Sequence, residues 1–208
     1  MKITTFTNRA PMAIATGLAL FLLSHTSLPA EELIPRDLKG TVTMELIGQA
    51  QVLSPQAAIQ YGYLSRIAGL DTIFTGTPQN ESTAIFTFYN TTATTRVINN
   101  GPLRIVNREG TATFYLNPAA GADLTNPDSF HAGTAVMTAS LTHQVVLDTV
   151  QNTFITQFSL TVTSAEEFTV GTETRRLGRP GQKFTWVIYG RPSTSSTTFA
   201  IAGFALSQ

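Results

Sequence analysis

The chain of 208 residues contains no cysteine. That excludes a disulfide framework, a zinc ribbon or finger, a thiol nucleophile and a thiolate-held iron–sulfur cluster. Charge is nearly as scarce: 12% of residues are charged, 13 basic against 13 acidic. With no basic excess to meet phosphates, nucleic acid is not expected as a partner. The three histidines, His25, His131 and His143, form no His-x-His or His-x-x-x-His pair, so no metal is expected. Also missing are a Gly-x-Ser-x-Gly elbow, a His-Glu-x-x-His helix, a P-loop and a dinucleotide fingerprint, so no cofactor is expected. No period of about 20–50 residues recurs, which counts against a propeller or solenoid.

The longest apolar run stands at the start. Lys2 and Arg9 precede the uncharged stretch Met12 to Leu23, and Ser27-Leu28-Pro29-Ala30 then offers small residues before Glu31. That is the order of a secretory signal. The run is shorter than the roughly 20 apolar residues that span a bilayer. Residues 1–30 are therefore expected to be a removed signal peptide, residues 31–39 an N-terminal arm, and residues 40–208 one domain. Losing Lys2 and Arg9 leaves 11 basic residues against 13 acidic. The expected location is extracellular or periplasmic, with no stable membrane insertion after cleavage. Such a chain, lacking cross-links, must be held by burial and a hydrogen-bond ladder.

Threonine is the most abundant residue, with 34 copies, and phenylalanine has 13. Both favour strands. Alternation is clear over Thr41 to Leu53, where Val42, Met44, Leu46, Ala50 and Val52 share a face, and over Thr134 to Asp148 and Thr153 to Thr163. Further strands are expected at Tyr61 to Ile67, Thr83 to Tyr89, Thr94 to Ile98, Leu103 to Val106 and Thr111 to Leu116. More follow around Phe168–Val170, Thr174–Leu177, Phe184–Tyr189 and Phe199–Leu206. Gln56 to Gln60 would add at most a turn of helix. Asn99-Asn100-Gly101-Pro102 and Asn107-Arg108-Glu109-Gly110 read as tight reversals, and Thr149 to Asn152 as a hairpin. Asn117 to Phe130 reads as a loop or lid.

Short connections and no long helix require mostly antiparallel pairing. Strands of this length suit a curved, closed sheet. The expectation is an all-β fold, a single antiparallel β-barrel of eight to ten strands, with a β-sandwich as second choice. If the barrel stays open, its edge strand would pair with a second copy, giving a homo-oligomer. In strand plan alone the chain resembles small exported ligand-binding barrels and the dirigent- and allene-oxide-cyclase-type barrels. No motif matches them residue for residue, so no site is carried over.

Four residues are candidates for ligand binding. His143 falls on the apolar face of its strand, among Leu141, Val145 and Leu147, where an imidazole is costly unless hydrogen-bonded. His131 stands where the long loop meets the longest strand. Tyr115 and Arg104 are polar groups that a cavity would use. Arg108, Glu109 and Asp148 read as solvated charges near turns. The leading reading is an exported, non-catalytic barrel that binds a small apolar ligand or acts at a surface. The first alternative is a cyclase- or isomerase-like enzyme steering an apolar substrate by shape. The second is a small outer-membrane barrel. N-terminal sequencing of the exported protein is expected to begin at Glu31; a first residue of Met1 would make the leader a retained anchor instead.

Overall fold

The computed structural model describes residues 31–32 and 40–208. The expected signal peptide, and all of the expected arm but Glu31 and Glu32, lie outside the described residues. Among the described residues there are eleven strands: β1 (Glu31–Glu32), β2 (Val42–Ser54), β3 (Ala57–Ile67), β4 (Phe86–Asn100), β5 (Leu103–Leu116), β6 (Thr134–Asp148), β7 (Thr153–Ala165), β8 (Glu167–Val170), β9 (Glu173–Arg176), β10 (Lys183–Gly190) and β11 (Thr198–Ser207). Eight of them close an antiparallel barrel in the order β10-β11-β2-β3-β4-β5-β6-β7, with β7 pairing β10. A separate three-stranded sheet, β1-β9-β8, takes β8 and β9 from the chain between β7 and β10 and β1 from the segment ahead of the barrel.

Closure rules out the sandwich, and no barrel strand is left with a free edge for a second copy to extend. Three local readings are corrected. Ala57 to Gln60 is strand, the start of β3, held by pairing to β2 and β4, and Gln56 belongs to the two-residue turn before it. The Asn107–Gly110 reversal does not occur: β5 runs unbroken through it, paired to β4 on one side and β6 on the other. Polar turn formers are tolerated there because Asn107 and Glu109 point outward. The Asn117–Phe130 segment is a loop but no lid. Its 3-10 helix, Pro127–His131, buries Phe130 against Tyr61 on the outer wall (5.2 Å between rings). Thr87 Oγ1 donates to the Phe130 carbonyl at 2.7 Å.

Strand alternation gives the wall an apolar inner face and a mixed outer one, on which Ile47, Ile155 and Tyr189 are exposed. Inward positions carry Met44, Leu46, Phe88, Phe114, Leu160 and Trp186, all buried, and outward positions of β6 and β7 carry Ser140, Thr142, Gln144, Gln157 and Ser159. The two ends differ as well. The connections 68–85, 117–133 and 166–182 all lie at one end, and Phe168 of β8 packs edge-on to Phe86 there (5.4 Å). At the other end the strands are joined by short turns at 55–56, 101–102 and 149–152 and by the 191–197 loop.

Two glycines let the backbones of β2 and β3 approach closely. Gly48 and Gly62 are register partners facing inward, and a Cβ on Gly62 would stand 2.2 Å from the Ile47 carbonyl oxygen and 2.5 Å from the Gly48 Cα. Only backbone could move to relieve that overlap. Gly62→Ala is expected to cost about 2–3 kcal/mol or more in urea unfolding. Gly76→Ala, where an added Cβ meets nothing within 4 Å, should stay within about 0.5 kcal/mol of wild type. Equal costs at the two positions would contradict this packing.

Candidate functional site

The capped half of the barrel is filled. Trp186 is fully buried, and its indole meets Phe114 at 5.2 Å, Phe88 at 5.7 Å and Phe158 at 6.0 Å. Towards the short-turn end the inward side chains shrink to Ala50, Val52, Ala58, Val97, Val106 and Val145, and a cavity of ≈ 240 Å³ remains.

Register resolves this cavity into levels. Its floor carries Arg108, His143 and Phe158, successive cross-strand partners on β5, β6 and β7, with Trp186 next in the row on β10. One inward position higher stand Val106, Val145, Thr156 and Ile188; at the rim stand Arg104, Leu147 and Phe154. Gln60 enters from β3. From floor to rim is four residues of strand, about 13 Å.

The polar groups of the floor are poorly matched with one another. Both ring nitrogens of His143, Oε1 of Gln60 and Nε of Arg108 are buried with no hydrogen-bond partner. Buried polar atoms are seldom left so. His143 packs its ring edge-on to Phe158 at 4.6 Å. Burial, and after it the neighbouring Arg108 cation, holds its pKa down to about 3, so near pH 7 it is a neutral hydrogen-bonding group. Burial, then Arg104, lowers the pKa of Arg108 from the usual guanidinium value. No Asp or Glu lines the cavity, and among the described residues neither Arg104 nor Arg108 has an ion-pair partner.

The four candidate residues fall into two separate places. Arg104 and His143 line the cavity, at its rim and its floor. Tyr115 and His131 lie together on the outer wall near the capped end, with ring centroids 6.3 Å apart. There His131 stacks on Tyr89 at 4.8 Å, and its Nε2 is 3.2 Å from Asp128 Oδ1. That exposed group has no opening into the barrel. Tyr115 points outward because Phe114, its neighbour, takes the inward position.

Arg108 is the floor residue that sequence reasoning missed. The signal was present: Arg104, Val106, Arg108, Ala112 and Phe114 keep a strict period of two, and continuing it places Arg108 on the inner face. The turn-like Asn-Arg-Glu-Gly composition masked it, although Gly110 is there for close approach, its added Cβ falling 1.9 Å from the Thr91 carbonyl oxygen.

Compared with protein-family models, with curated proteins and with solved structures, the chain matches none. What the site does must therefore be read from its own geometry.

The His143 environment makes stability depend on pH with a definite sign. The unfolded imidazole takes up a proton near pH 6.5, whereas the folded one does so only near 3. As pH falls between those values the unfolded state gains the proton that the native state refuses, so stability drops by about 1.4 kcal/mol per unit from this group. Urea unfolding followed by Trp186 fluorescence at pH 7.5 and pH 5 should show His143→Leu gaining about 2 kcal/mol on wild type between the two. Parallel pH dependences would mean that His143 is not desolvated.

Proposed function

We propose that the protein is an exported, non-catalytic barrel that binds a small apolar ligand in the cavity at the short-turn end. The observation that carries this reading is the division of the interior. The aromatic packing around Trp186 leaves no room in one half, while small aliphatic side chains keep ≈ 240 Å³ free in the other. A pocket that is concave, mostly apolar and furnished with a few convergent polar groups is the usual form of a small-molecule site. At about 30 Å³ per water-sized group, that space takes roughly eight non-hydrogen atoms, with more of a chain able to leave through the open mouth. A leader-like N-terminus supports export, and the Thr-, Ser- and Gln-rich outer face of β6 and β7 supports a barrel that stands in water.

Trp186, the only tryptophan of the chain, packs on floor residue Phe158 and so reports on occupancy. Ten-carbon probes with a neutral or a charged end are expected to change its fluorescence saturably. Ala50→Phe, which places an aromatic ring in the free space, should abolish the response while the urea midpoint stays close to wild type. Absence of a saturable response to any such probe, or undiminished binding by Ala50→Phe, would overturn the proposal.

A further inference from the structure

The cavity's polarity is unevenly distributed, and that identifies one end of its ligand. Its neck is mostly aliphatic: Val97, Val106, Val145 and Ile188 surround the middle level, with Thr156 as its one polar residue. Its floor holds a guanidinium, an imidazole and a carboxamide, with four buried nitrogen or oxygen atoms lacking partners among them. A cation in a largely apolar enclosure is costly unless a counter-charge meets it. Among the described residues none supplies one. The nearest acidic neighbours in sequence are turned away: Glu109 is on the outer face of β5, and Asp148 accepts from the backbone N–H groups of Val150 and Gln151 at 2.9 Å in the β6–β7 turn.

From this distribution we infer that the ligand is an apolar monocarboxylate, bound head-inward, with its carboxylate on Arg108 and His143 and its hydrocarbon part in the valine-lined neck. The inference rests on the ligand-binding reading above and specifies the chemistry of the same site. Arg108 presents a planar fork that matches the two oxygens of a carboxylate. His143, the cross-strand partner of Arg108, stands close enough to donate a ring N–H to the same group, since paired residues on one face have Cβ atoms about 5 Å apart. A single guanidinium suits one negative charge better than the two of a phosphate monoester. Arg104, exposed at the rim, adds attraction for an incoming anion without fixing it. A ligand in the reverse orientation would leave the floor atoms unpaired beneath a hydrocarbon end, which is the costlier arrangement.

The test is a calorimetric titration of the whole exported chain with decanoate, 1-decanol and decyltrimethylammonium, which share one tail and differ in the head. Decanoate is expected to bind at least about tenfold more tightly than either of the others. Arg108→Met should bring decanoate down to the level of 1-decanol, and Arg104→Met should lose less. Equal affinity of the wild type for decanoate and 1-decanol would overturn the head-group assignment while leaving the apolar site standing. So would a decanoate preference that survives Arg108→Met, or a larger loss in Arg104→Met, which would put the head at the rim. Failure of all three compounds to bind would remove the binding site itself and this inference with it. Should Arg108→Met not fold, the comparison of the three heads on wild type decides the question unaided.

Discussion

Three phenylalanines from β4, β5 and β7 converge on one indole from β10, and the rest of the molecule is arranged around that meeting. Trp186 with Phe88, Phe114 and Phe158 is the point at which strands far apart in sequence are pinned together without any covalent link. Rings of this size bury large apolar areas, and edge-to-face contacts add specificity of orientation. The hydrogen-bond ladder closes the barrel, but a ladder alone does not fix how wide the enclosed space is. The aromatic cluster does. Below it the interior is full, and above it the inward side chains leave a cavity unfilled.

The same cluster explains why polar groups survive inside. Phe158 forms part of the plug and also packs on His143, so the floor of the cavity is the upper surface of the core. Arg108 and His143 stand at the boundary between packed and open interior, where desolvation is strong enough to change how the imidazole titrates and solvent access through the mouth is sufficient to tolerate a guanidinium. One layer deeper the arginine would be untenable. One layer higher it would be an ordinary surface charge, as Arg104 is.

Much of the architecture was legible because alternation is a local signal. Period two over Thr41–Leu53, Thr134–Asp148 and Thr153–Thr163 located long strands and their inner faces, and strand length together with short connections favoured a closed sheet. His143 was singled out for the same reason, a polar side chain on an apolar face. The failures have a common physical origin. Composition says which residues tolerate a turn, not whether the neighbouring strands demand one, and so Asn107–Gly110 misled while the pairing partners on both sides of β5 kept it extended. The position of a loop in space is likewise non-local. His131 and Tyr115 were close to a strand end in sequence, yet which end holds the mouth follows from the direction of every strand around the barrel. The burial of Phe130 against Tyr61, which fixes the loop to the outer wall, involves residues 69 positions apart.

Strand direction has a further consequence, for attachment. β2 enters and β11 leaves the barrel at the capped end, where the Gln208 backbone N–H donates to the Lys183 carbonyl at 3.1 Å, and β1 is paired in parallel with β9 of the sheet inserted at that end. Both termini of the described barrel therefore face away from the mouth. A surface, resin or fused domain joined through the C-terminus holds the molecule by its closed base, with the opening directed outward into the medium.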